Sequence, residues 1–119
     1  MNVLSHVHPT AASARARFHA DTVSEVRSAV EANSVVVVGM GWNPAVGRAR
    51  KLLDERKVPH VYLGYGNYVS GWQKRLAIKL WSGWPTFPQV FVNGALIGGC
   101  SDMKALIESG EFDRILVER

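Results

Sequence analysis

The sequence predicts an α/β fold, a four-stranded mixed sheet flanked by helices on both faces. Three observations carry that expectation. Val35–Val38 is an unbroken β-branched run, which suits a strand buried on both faces. A helix-period segment follows it and leads to a second short strand at His60-Val61-Tyr62-Leu63. Strand, helix and strand with short links make a βαβ unit, hence a parallel pair with a right-handed crossover. Further on, Gln89–Val92 and Ala95–Ile97 flank Asn93-Gly94, the strongest short hairpin signal, so this pair is antiparallel. One parallel and one antiparallel pair in a single small core make the sheet mixed.

The bulk composition fits one domain. The chain has 119 residues, 47% of them hydrophobic and 20% charged, enough for one core. No run of 18 apolar residues occurs, so no membrane partner is expected. The formal net charge is +4. The basic residues are scattered through helical stretches, so charge alone does not make nucleic acid an expected partner. The single cysteine, Cys100, excludes an internal disulfide, and no zinc-ligand spacing is present. A reducing, cytoplasmic setting and no metal are expected. Residues 1–20 hold Arg15, Arg17 and no acidic residue, and read as a flexible N-terminal tail ahead of a domain at 21–119. His6 and His8 lie in that tail with no further ligand tied to them by spacing.

The elements follow in order. Thr22 with Glu25 forms a capping box, Val23, Val26 and Val30 recur at helical spacing, and Asn33 is the stop. After the Val35–Val38 strand, Asn43 can cap a helix with Pro44 at its first position; Val46, Ala49, Leu52 and Leu53 make its apolar face. Val69, Trp72, Leu76 and Leu80 predict an amphipathic helix over 69–82, with Arg75 and Lys79 beside the stripe. Pro85 and Pro88 forbid a helix before the hairpin. Gly98-Gly99 permits close approach, Ser101 can cap a helix carrying Met103, Leu106 and Ile107, and Gly110 ends it. Phe112, Ile115 and Leu116 suggest a last helical turn or two.

Trp84-Pro85-Thr86-Phe87-Pro88-Gln89, then Val92-Asn93-Gly94, then Gly98-Gly99-Cys100 resembles the monothiol glutaredoxins, whose fold is thioredoxin-like. The resemblance covers about residues 22–119. It implies a cis bond before Pro88 that turns the Phe87 backbone outward to pair with a peptide ligand like an added strand. It implies glutathione as the ligand. The γ-glutamyl carboxylate would sit at the helix N-terminus at Ser101 and Asp102, and Arg75 would hold the glycine carboxylate.

The same resemblance exposes departures. The nucleophilic cysteine of the family falls at Asn43 and the second cysteine at Val46, while the lysine that precedes the motif falls at Met40. Thiol–disulfide exchange needs a thiolate, which Asn43 lacks. An iron–sulfur cluster held in the family's manner needs the same cysteine, so none is expected. Two readings stand. One is a non-catalytic or regulatory protein of redox or iron–sulfur metabolism that binds glutathione, or a peptide or protein, through Phe87, Pro88, Ser101, Asp102 and Arg75. The other is a glutathione-dependent monothiol oxidoreductase using Cys100, whose place before a helix favours a thiolate.

Overall fold

The computed structural model describes residues 7–118. Its elements are α1 (Pro9–Arg17), α2 (Ala20–Ala32), β1 (Val35–Gly39), α3 (Pro44–Glu55), β2 (Val61–Gly64), α4 (Trp72–Ser82), β3 (Gln89–Val92), β4 (Ala95–Gly98), α5 (Cys100–Ser109) and α6 (Glu111–Leu116). The sheet order is β2-β1-β3-β4. β1 pairs in parallel with β2, Val37 beside Tyr62, and antiparallel with β3, Val36 beside Phe91. β3 and β4 form the expected hairpin, with an irregularity between Val90 and Phe91. Asn93 and Gly94 both take positive φ, 48° and 84°, the backbone that a two-residue hairpin turn demands.

Alternation along the strands distributes the core between two faces. Val36, Val38 and Phe91 point to one side, where Val26 and Val30 of α2 and Ile78 of α4 cover them. Val35, Val37, Val90 and Val92 point to the other, against Ala49 and Leu53 of α3, Met103 of α5 and Phe112 of α6. All four residues of the Val35–Val38 run are buried. That double coverage is why the run lacks a polar face.

Four local expectations are corrected. The segment read as a tail carries helix α1 at Pro9–Arg17, while its first six residues lie outside those described. Helix α2 starts at Ala20, capped by His19 in the left-handed region, so Thr22 is no cap and lies buried inside the first turn. Its presumed box partner, Glu25, accepts instead from the Tyr65 hydroxyl. Helix α4 starts at Trp72 rather than Val69, because Gly71 takes φ 78° and Asn67 draws the Val69 and Ser70 N–H groups to its own Oδ1. Helix α5 is capped at Gly99, not Ser101; the Gly99 N–H donates to Asp102 Oδ2 at 2.9 Å.

Candidate functional site

A cleft of about 570 Å³ lies between α3, the 84–88 turn and the start of α5. Three pieces of backbone build it, each held by a side chain close in sequence or across the fold.

The first is the N-terminus of α3. Asn43 is its cap, with Oδ1 accepting from the N–H of Ala45 at 2.9 Å and of Val46 at 3.2 Å. Two donors on Oδ1 fix the amide's orientation, so Nδ2 faces the other way. There it donates to the carbonyl of Phe87 at 3.3 Å. Val46 itself is buried in the core, 3% exposed, and Met40 is also buried. Neither side chain reaches the cleft walls. Ala45, Arg48, Lys51 and Leu52 of α3 do.

The second piece is the turn ahead of β3. The Phe87–Pro88 bond is cis, as the resemblance implies. Gln89, fully buried, donates from Nε2 to the Trp84 carbonyl at 3.0 Å and closes the turn from beneath. This positioning role of Gln89 was not foreseen; a polar residue opening an otherwise apolar strand was the available signal. The Phe87 carbonyl, expected to face a ligand alone, is already engaged by Asn43, leaving its second lone pair. Trp84, Thr86, Phe87 and Pro88 line the cleft, and Lys79 Nζ stands 5.6 Å from the Phe87 ring.

The third piece is the first turn of α5. Gly98 takes φ 112°, and a Cβ there would meet Asp102 Oδ2 at 2.5 Å. Glycine at this position therefore lets Asp102 fold back onto the Gly99 N–H. Cys100, half-buried, and Ser101 and Asp102, exposed, present this turn to the cleft. The early N–H groups of a helix and its dipole favour a carboxylate at that end. Lys104 adds a cation to the same wall, so α3 contributes Arg48, Lys51 and Glu55 to the cleft lining and α5 contributes Asp102 and Lys104. Lys51 and Glu55 also approach one another at 3.9 Å on the exposed face of α3.

The structure thus brings Phe87, Pro88, Cys100, Ser101 and Asp102 to one cleft. Arg75 is not among its walls. It is buried, 8% exposed, and Nη1 donates to the carbonyls of Tyr65 at 2.9 Å and Ser70 at 2.7 Å. The guanidinium ties down the 65–71 loop, where Gly66 is so close to Ser70 that a Cβ would lie 2.2 Å from its carbonyl oxygen. Beside it Tyr65 donates to Glu25, and burial first, then that bond, pushes its hydroxyl above the usual tyrosine range. Among the described residues no three His, Cys, Asp or Glu side chains gather as a metal site, and no helix is long and apolar enough to cross a membrane.

A glutaredoxin-like protein of Dictyostelium discoideum is 50% identical over 97 residues, 81% of this chain and 79% of that protein. The chain belongs to the glutaredoxin family. The glutaredoxin family model matches residues 47–97, from α3 to the end of the hairpin. A probable monothiol glutaredoxin 2 of Rickettsia typhi is 32% identical over 93 residues, 76% of this chain and 84% of that one. Among solved structures, a buckwheat glutaredoxin in complex with glutathione superposes with a TM-score of 0.71, covering 83% of this chain and 90% of that one. At 24% identity that likeness establishes the thioredoxin-like glutaredoxin fold.

Proposed function

We propose that this glutaredoxin binds glutathione, or a peptide with a similar γ-glutamyl end, without thiol–disulfide turnover at the start of α3. The observation that carries the reading is Asn43. Its amide caps α3 and reaches the Phe87 carbonyl, the position where the family's nucleophilic cysteine is expected. Exchange proceeds by thiolate attack on a disulfide sulfur, and a carboxamide offers no such nucleophile. A [2Fe–2S] cluster is held by cysteine thiolates. One cysteine in the chain and an amide at Asn43 do not make that donor set.

Binding survives this loss on chemical grounds. The α5 N-terminus at Ser101 and Asp102 suits a carboxylate. The Phe87 backbone beside Pro88 suits an extended peptide. Arg48, Lys51 and Lys104 line the cleft and complement an anionic ligand, in place of the lysine that the family has where Met40 stands. Asp102 is committed to the Gly99 N–H through Oδ2, so only its other oxygen is left for the ligand's ammonium. Arg75 supports the cleft indirectly, by holding the loop before α4. A glutathione-rich, cytoplasmic setting and a regulatory role in redox or iron–sulfur metabolism fit this chemistry. The other reading, monothiol turnover by Cys100, is favoured by one fact, that Cys100 lines the same cleft.

Two measurements test the proposal together. Titration with glutathione should shift the amide resonances of Phe87 and Ser101 at millimolar ligand, and a glutathione-coupled disulfide reduction assay should give no turnover. Absent shifts overturn the binding role. Turnover that Cys100→Ser abolishes assigns the chain to the oxidoreductase reading.

A further inference from the structure

Helix α4 buries Arg75, Ala77 and Ile78 and leaves its opposite face apolar. Trp72 is 57% exposed, Leu76 38% and Leu80 68%, at successive i, i+4 positions that form one ridge. Tyr68 and Val69, 63% and 79% exposed, lie in the loop just before the helix, and Phe18 shares a cleft with Leu80 at its far end. A few isolated apolar side chains on a surface are ordinary; a continuous ridge of this length marks an interaction site.

We infer that the ridge is covered by a second copy of this chain, α4 against α4 in antiparallel order about a twofold axis at Leu76. The first argument is self-complementarity. A twofold interface places the same patch on both partners. With the axis at Leu76, the midpoint of the ridge, Trp72 of each copy lies over Leu80 of the other. The same arrangement brings each Trp72 to the cleft of about 480 Å³ that Leu80 shares with Phe18, Val23, Ala77 and Trp81. Arg27 is the one charged residue lining that cleft, and it already stands over the Trp81 ring at 5.9 Å. A guanidinium so placed can also stack on an incoming indole.

The second argument is area. With aromatic side chains worth about 150–250 Å² each and the exposures above, the six apolar residues offer roughly 600 Å² per copy. The pair then buries about 1,200 Å², the lower end of specific interfaces. That size fits an association in the micromolar range, dependent on concentration.

Sedimentation equilibrium tests the inference. The mass should rise from 13.1 kDa at low micromolar concentration toward twice that value as concentration approaches millimolar. Leu76→Glu sets two carboxylates against each other at the axis and should weaken association at least thirtyfold. Leu76→Lys should do the same with ammonium groups. Leu76 is exposed, so both variants should melt within a few degrees of the intact protein. An equimolar mixture of the two should associate again, since only at a twofold axis does a residue face itself. A monomer at every concentration, a dimer indifferent to Leu76→Glu, or a mixture that stays monomeric overturns the proposal.

Discussion

Asn43 and Phe87, forty-four residues apart, are joined by one amide: Nδ2 donates to the Phe87 carbonyl at 3.3 Å while Oδ1 caps α3. A single side chain thus links the helix that opens the cleft to the turn that floors it. Asn43→Ala removes the cap, a loss of about 1 kcal/mol, and the Phe87 bond, about 0.5–1.5 kcal/mol. Urea denaturation should show a total of about 1.5–2.5 kcal/mol. Asn43→Ser should recover most of the cap contribution and little of the rest. Equal losses in the two variants would mean that the cap does not hold this end of α3.

The same position offers a gain-of-function test. Asn43→Cys places a thiol at a helix N-terminus, where the thiolate is favoured. If the cleft binds glutathione in a productive pose, this variant should acquire glutathione-coupled disulfide reduction at least tenfold above the intact protein. No gain, in a variant that folds normally and still binds glutathione, would show that Asn43 does not stand at the reacting position.

Much of the architecture was legible because its signals are local. Four β-branched residues in a row announced β1, Asn43-Pro44 announced the start of α3, and Asn93-Gly94 announced the hairpin. What escaped was set by contacts across the chain or by competition between neighbours. Thr22 and Glu25 have the spacing of a capping box, yet Tyr65 claims Glu25 from forty residues away. Ser101 has the chemistry of a cap, but Asp102 reaches Gly99 first because Gly98 leaves room. Arg75 lies between Trp72 and Leu76 in sequence, and periodicity cannot say that two loop carbonyls draw it inward. Trp72, Leu76 and Leu80 predict an amphipathic helix by their spacing, and the α4 residues that are buried are Arg75, Ala77 and Ile78. For the cleft, the sequence pointed to Phe87, Ser101 and Asp102, whereas Arg48 and Lys104 became visible only when α3 and α5 were set side by side.

Arg75 separates a supporting role from a ligand-binding one. Charged-group hydrogen bonds contribute about 1.5–3 kcal/mol each, and Nη1 makes two of them. Arg75→Met should therefore lower stability by about 3–6 kcal/mol, with faster amide hydrogen exchange across residues 65–71. Were the guanidinium reserved for a ligand carboxylate, the variant would keep its stability and lose only glutathione affinity.

Gly98 and Asp102 should be coupled energetically. An alanine at Gly98 must hold φ 112° and crowd the Asp102 carboxylate, for an expected loss of about 2–4 kcal/mol. Asp102→Ala loses the bond to the Gly99 N–H, about 1 kcal/mol. The double variant should lose less than the two singles together, because the clash has lost its partner; cycles of this kind measure such coupling directly. Strict additivity would remove the argument that Gly98 exists to admit Asp102.

The last prediction concerns alkaline pH. Burial, and then donation to Glu25, raises the Tyr65 hydroxyl above its ordinary value. A group whose folded value is raised stabilises the fold fully below its unfolded value, about 10 for tyrosine. That stabilisation falls away as pH rises further, because the unfolded chain then releases a proton that the folded one keeps. The melting temperature should accordingly drop between pH 9 and pH 11. Other groups titrate there as well, so the informative quantity is the difference from Tyr65→Phe. That variant should melt lower than the intact protein at pH 8, having lost the Glu25 bond, and its decline toward pH 11 should be shallower. Parallel declines in the two proteins would show that Tyr65 ionises as readily in the folded state as in the unfolded one.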